Sequence, residues 1–563
     1  MSRGGESWGL ASSRLKRDER SEARRTALLR PFVFPALVLL AAALLLLCRL
    51  DDAYLWQDEA ETAIVSRHWL AYGLPLSTDG SDWVQQAGQS FVEFTSDYVW
   101  IYHSWLQYAL TAASFAILGP TTFAARLPFV LVGLATFCLF YVFMLRWLGD
   151  RRTVRVAMAL LLFCVPFLLL LRQCRYYALA ALFTLLTLDA YFRLRSGDLR
   201  CGWALPYFVL SAVLLYHSHY GAFFPTIVAL ALHCLVRRPR AGALRRLLVG
   251  LSLAAVLVLP WAVFMRVLNR GQPFQLDRFL AQLGQYFVYT TAWIFPLTFV
   301  LVLPVVWVIK STETRPSHTQ AQALFCQVAG LVILVNVLTL SFSAAFDWVF
   351  FRYMAHLIPL LLAMLAIVIV RLMERWAVAG YALLLALVTS NALHTLPYGL
   401  PGLRGLHLEN LWPRSGAFVS LDEVWSKAGR FRSEVWMYAQ ELTHSYEGPN
   451  EGLAAYLAAH ARPGETVAVN YEELPLMFYT RLHVVGGLSA HGLDDNPRPD
   501  WVIDRKYGPY RDRLEAIVAA GSYERIEIPY PDIRWENRPE PGSHQYLTVR
   551  DEGNVVLYRR REE

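Results

Sequence analysis

Apolar runs of roughly helix-spanning length recur along most of the chain, separated by short segments that are alternately arginine-rich and arginine-poor. The runs fall at about 31–50, 127–148, 156–171, 178–194, 203–217, 221–236, 247–267, 286–309, 324–345, 353–371 and 376–396. A helix needs about 20 apolar residues to cross a bilayer, so the pattern predicts about 11 transmembrane helices. The basic segments fall on every second connection: Arg151, Arg152 and Arg155; Arg193, Arg195 and Arg200; Arg237, Arg238, Arg240, Arg245 and Arg246; Lys310 and Arg315; Arg371 and Arg375. Lys and Arg concentrate on the cytoplasmic side of membrane proteins. The bias therefore predicts a cytoplasmic N-terminus and an extracytoplasmic C-terminus, in the plasma (inner) membrane of a bacterium.

One apolar stretch breaks the alternation. Residues 98–118 are apolar enough to cross, but a crossing there would put Arg151, Arg152 and Arg155 outside. Trp100, Tyr102, His103, Trp105 and Tyr108 suit a helix lying in the headgroup layer instead. Residues 51–126 are thus expected to form a large first outer loop. Residues 1–30 carry eight Lys/Arg and read as a cytoplasmic basic arm, and 31–396 as the membrane domain.

Past Pro397 the pattern changes. No spanning run follows, and Pro, Gly and charged residues become frequent. Residues 397–448 read as a connector with short helices. Residues 449–563 read as an extracytoplasmic α/β domain, with helices near 454–461 and 511–520 and strands near 465–470, 482–485, 501–504, 523–528 and 555–559.

Composition agrees with the membrane reading. Of 563 residues, 56% are apolar and 14% aromatic, and mean hydropathy is +0.34, too apolar for a water-soluble chain of this size. The net charge of +7 is dispersed between the runs, so no nucleic-acid partner is expected. The seven cysteines show no metal-type spacing and no disulfide framework. The first run follows some thirty polar residues and lacks a small-residue cleavage site, so no cleavable signal peptide is expected. No GxGxxG fingerprint occurs.

Candidate chemistry concentrates at Leu55-Trp56-Gln57-Asp58-Glu59-Ala60-Glu61, directly after the first run. Three carboxylates in four residues beside hydrocarbon are costly without partners or work. Asp58 and Glu59 are the candidate reactive groups, and Glu61 is expected to face solvent. The predicted topology places Arg172, Arg175, Tyr176 and Tyr177 after the third run, and Arg352 and Tyr353 before the tenth, on the same outer face. A carboxylate can draw off a hydroxyl proton, and arginine can meet a phosphate through two parallel hydrogen bonds. His103, and His217 with His219, are the weaker candidates for a metal. Glu472 and Glu473 read as a polar loop.

The segment Trp56-Gln57-Asp58-Glu59, continuing through Ala63-Ile64-Val65-Ser66-Arg67 and Tyr72-Gly73-Leu74-Pro75, resembles the first outer loop of GT-C glycosyltransferases. The likeness is to the bacterial branch related to protein O-mannosyltransferases and the lipid A aminoarabinose transferase. Leu118–Phe129, Arg172-Gln173-Cys174-Arg175-Tyr176-Tyr177-Ala178-Leu179 and Arg352-Tyr353 with Pro359 resemble later elements of that branch, in order, over roughly residues 31–400. The resemblance implies a membrane glycosyltransferase that takes a sugar from a polyprenyl-phosphate donor to a glycan, lipid or protein acceptor. It implies Asp58 as the catalytic carboxylate, Glu59 in support or at the acceptor, and Arg172, Arg175 and Arg352 toward the lipid phosphate. Some relatives hold a metal in this loop system. This chain has Tyr102-His103-Ser104-Trp105 where others carry a His-Pro-Pro or Glu-Lys-Pro element, so a divalent metal stays open. A flippase or transporter of lipid-linked saccharide is the alternative. It would need polar groups deep in the spans, where Asp189 and Asn336 are the main cases. A third reading is an assembly scaffold acting through the tail domain.

Overall fold

The computed structural model describes residues 33–86, 90–196, 202–270, 273–296, 316–343, 349–399, 431–506, 508–533, 538–539, 544 and 553–561. The basic arm of residues 1–30, most of the connector and the second half of the predicted span 286–309 lie outside them.

Helices occupy the predicted runs because a bilayer leaves the backbone no other way to satisfy its own N–H and C=O groups. In chain order they are α1 (Val33–Leu47), α2 (Gln57–Tyr72), α3 (Leu106–Leu118), α4 (Thr122–Leu148), α5 (Arg151–Leu162), α6 (Val165–Leu171), α7 (Tyr177–Ser196), α8 (Ala204–Ser218), α9 (Tyr220–Val236), α10 (Ala241–Phe264), α11 (Leu276–Trp293), α12 (Pro316–Ser343), α13 (Ile358–Arg375), α14 (Ala377–Thr389) and α15 (Ala392–Gly399). Five helical stretches among the described residues are long and apolar enough to cross a membrane by length and composition alone. The pair α5 and α6, bent by 66°, makes a sixth if counted as one broken span. The chain is a multi-pass membrane protein, and exposed apolar side chains such as Val378 (84% exposed) and Val256 (65%) mark faces that suit lipid.

Local sequence sets the boundaries. Asp150 caps α5 by accepting from the N–H groups of Arg152 and Thr153, and Thr121 caps α4 through Ala124 N–H. The predicted span 156–171 is broken at Phe163–Cys164, with Pro166 opening α6. The interfacial segment predicted over 98–118 is helical only from Leu106. Before it the chain folds back through isolated bridges, Leu76 with Val99 and Phe94 with Trp100.

The tail carries α16 (Glu434–Glu441) and α17 (Pro449–His460), then β1 (Thr466–Val469), α18 (Glu473–Tyr479), β2 (His483–Gly486), β3 (Trp501–Ile503), α19 (Arg511–Ala520), β4 (Tyr523–Pro531) and β5 (Asn554–Arg560). The sheet runs β2-β1-β3-β5-β4. β1 pairs in parallel with β2 and β3, while β5 is antiparallel to β3 and β4. Every predicted strand is present. Glu472 and Glu473, read as a polar loop, instead open the helix α18, which fastens the tail to α2. Tyr479 receives a hydrogen bond from Leu55 N–H (2.9 Å) and shares one with Thr122 (2.6 Å). Its ring lies 4.0 Å from that of Tyr54.

Candidate functional site

The site is built around the first turn of α2. Acidic residues there lie favourably at a helix N-terminus, and Trp56 donates its indole N–H to Gln173 (2.5 Å) from the loop between α6 and α7. α2 is buried from Gln57 through Ser66. Loop 172–176, α3 and α18 enclose it, so its three carboxylates face three different surroundings.

Asp58 Oδ2 lies 3.2 Å from Arg352 and 3.7 Å from Arg175. These two arginines come from segments far apart in sequence, Arg175 from the loop between α6 and α7 and Arg352 from a 3-10 turn over Phe351–Leu357. The Arg352 guanidinium sits over the rings of Phe350 (4.0 Å), Trp56 (5.3 Å) and Tyr353 (5.7 Å). The Arg175 guanidinium lies over Tyr176 (5.6 Å). Tyr176 stacks flat on His219 (4.1 Å, 5°), His219 lies 6.1 Å from Tyr353, and Tyr177 packs edge-on against Tyr176. The result is an aromatic floor beneath two cations and one carboxylate.

Glu59 occupies a different surrounding. Both its oxygens accept from Arg126 (2.9 and 2.7 Å), and Oε1 accepts from Cys174 N–H (3.0 Å). Arg126 also donates to the carbonyls of Leu50, Ala53 and Tyr54. Glu59 was expected at the chemistry. Fully buried and doubly paired, it anchors the α1–α2 turn to α4 instead.

Glu61 corrects the expectation of a solvent-facing group. It is fully buried and accepts from Arg175 (2.9 Å) and Tyr108 (2.5 Å). Burial pushes its carboxyl above the ordinary range, partly offset by Arg175. Arg175 thereby divides its charge between Asp58 and Glu61.

Arg172 does not join the cluster. It donates to the carbonyls of Leu45 (3.1 Å) and Arg49 (2.9 Å) and to Tyr438 (3.2 Å), closing the C-terminal end of α1 and tying it to α16. The reason is rotational: Arg172 ends α6 while Arg175 lies three residues on, past the turn, so their side chains leave the loop toward different neighbours.

The metal candidates also separate. His103 Nε2 lies 2.9 Å from Arg175, and burial beside that guanidinium holds His103 well below its usual range. A neutral ring accepting from a cation does not fit a metal ligand in this arrangement. His217 packs against Tyr216 and Trp261, whereas His219 stacks on Tyr176. No group of three or more His, Cys, Asp or Glu suited to a metal occurs among the described residues.

Sequence reasoning missed Arg126, Tyr108 and Gln57. Arg126 lay within a quoted motif, and its charge at the start of a long apolar run was an available signal.

Fold and site together define a multi-pass membrane protein with a small mixed α/β tail and a cluster of buried carboxylates and arginines at the first turn of α2. Among solved structures the chain is similar to ArnT from Cupriavidus metallidurans in its apo state (TM-score 0.55, 17% identity, covering 95% of this chain and 98% of that one). It is likewise similar to the same protein bound to undecaprenyl phosphate (TM-score 0.54, 15% identity, 94% and 97%). No protein-family model matches the sequence, and no curated protein matches it.

Proposed function

We propose that the protein is a membrane glycosyltransferase that moves a sugar from a polyprenyl-phosphate donor to a glycan, lipid or protein acceptor at the outer face of the plasma membrane. The observation that carries this reading is the placement of Asp58 between Arg175 and Arg352. The shared fold with ArnT, a structure of which holds undecaprenyl phosphate, supports the donor class.

In this mechanism the donor phosphate docks on Arg352 and Arg175 and takes over contacts that these two arginines make with Asp58. Asp58 then accepts the proton of the acceptor hydroxyl as its oxygen bonds to the anomeric carbon. The bond from that carbon to the phosphate oxygen breaks on the opposite face, with inversion, and the electron pair leaves with the lipid phosphate. The two guanidinium groups meet that charge in surroundings drier than water, where such contacts are stronger. Neutral His103 and Tyr108 hold Glu61 and Arg175 in place.

The predicted topology, with the N-terminus cytoplasmic, belongs to this proposal, as does the division into a membrane domain over 31–396 and an extracytoplasmic domain over 449–563. The transporter alternative draws no support from the deep polar groups. Asp189 is held by Arg146, Arg193 and Trp147. Asn336 is held by His356 (2.8 Å) and Val332. The test is transfer from lipid-linked sugar in proteoliposomes. Asp58→Asn should lose transfer while remaining folded, and unchanged transfer by a folded variant would remove the assignment.

A further inference from the structure

Gln57 immediately precedes Asp58, and the chemistry above gives it no task. It is 1% exposed, and its Nε2 donates to Glu473 Oε1 at 2.6 Å, from the first turn of α18 in the tail domain. The remaining oxygens of this pair, Gln57 Oε1 and Glu473 Oε2, are both buried and without a hydrogen-bond partner. Two acceptors stranded in a dry pocket are costly. The pocket is tight. Gly487 has φ +63°, and a Cβ there would stand 2.1 Å from Glu473 Cδ, so backbone packs directly on the carboxyl.

We infer that Glu473 is held as the neutral acid, its Oε2–H donating to Gln57 Oε1, so that acid and amide close a two-bond ring and latch the tail domain onto the turn that carries Asp58. One proton satisfies both stranded atoms. Glu473 is then a positioning residue, acting on Asp58 through Gln57.

The surrounding charges fit. Glu472 is spoken for by Arg505 (2.6 Å), which also serves Asp532 (2.7 Å). On α2, Asp58 faces Arg352, Glu61 faces Arg175, and Arg67 donates to the carbonyls of Met477 and Phe478 at the far end of α18. On β2, His483 faces Asp82. On α17, Glu451 is half-buried and His460 exposed. Tyr510 donates its hydroxyl to Gly487 O. Among the described residues no cation pairs with Glu473. Burial pushes its carboxyl up to about 7, against the Gln57 amide and the N–H groups of Glu473 and Leu488, with Glu472 adding to the rise.

The catalytic consequence rests on the reading of Asp58; the latch does not. The first readout is therefore infrared spectroscopy of the full-length protein in lipid nanodiscs. The wild type should show a protonated-carboxyl C=O band that is absent in Glu473→Gln. That band should fall roughly tenfold between pH 6 and 8, the ratio expected for a group titrating midway. If E473Q does not accumulate, Gln57→Ala should shift the band's frequency. A spectrum unchanged by either substitution overturns the latch. The second readout is transfer against pH. Wild type should lose activity as pH rises through 7, while E473Q, whose amide can donate in place of the acid, should hold its rate. Identical profiles would overturn the positioning role. Absence of transfer in the wild type, with the band present, would instead count against the glycosyltransferase reading.

Discussion

Asp58 and Glu59 are neighbours on one helical turn, each beside arginine, and their surroundings differ in kind. Glu59 meets Arg126 through two short parallel contacts and is fully buried. Asp58 meets Arg352 and Arg175 at 3.2 and 3.7 Å, with 13% of its side chain exposed. A closed bidentate pair has no capacity left for a ligand. A looser, partly open carboxylate with two cations can exchange one contact for a substrate phosphate. On the proposed function, geometry at the contact, more than the presence of an acid and an arginine, separates Asp58 as the working carboxylate from Glu59 as a structural one.

Four substitutions test that contrast, taken from the largest effect to the smallest. Asp58→Asn should reduce transfer by roughly 10²–10⁴, the usual scale for a lost general base, with the melting temperature in detergent little changed. Arg126→Ala should do the reverse. It strands Glu59, which costs on the order of 3–5 kcal/mol for a broken buried pair, and should appear as a collapse of thermal stability. A stable Arg126→Ala protein would erase the distinction. Arg352→Lys replaces a planar fork with a point charge and should weaken binding of polyprenyl phosphate by about tenfold, an effect of about 1.4 kcal/mol. Arg172→Ala should lower stability by roughly 1–2 kcal/mol through lost bonds to α1 and α16 while leaving the KM for donor unchanged. A raised KM would return Arg172 to the phosphate site.

Stability should also respond to pH through Glu473. Its folded value of about 7 exceeds the ordinary 4.5, so its contribution is complete below about 4.5, declines as pH rises and is gone above about 7. Melting curves of wild type and E473Q should diverge over that window.

Much of the fold was legible. Among the described residues most apolar runs fall on helices, though the helix at the run 286–309 begins at Leu276 and ends at Trp293, and the tail strands fall within a few residues of their alternating segments. Asp58, Arg175 and Arg352 were legible as a set, because polar groups beside hydrocarbon are conspicuous. The first turn of α2 was less so. Its burial on all sides removes the amphipathic pattern that would have told Glu61 from a solvated residue, and nothing near Glu472 or Glu473 in sequence signals a helix pressed against residue 57.

What the chain determines by itself is therefore whatever hydropathy and backbone satisfaction dictate: that its apolar segments are helices suited to a bilayer, and how the strands of its tail alternate. Only the tertiary structure decided which of Asp58, Glu59 and Glu61 keeps an exchangeable partner. That choice depends on Arg126, Tyr108, Arg175, Arg352 and the tail domain arriving from distant positions. A carboxylate's role in a dry site is set by the charges and donors within a few ångströms, and linear spacing does not encode them.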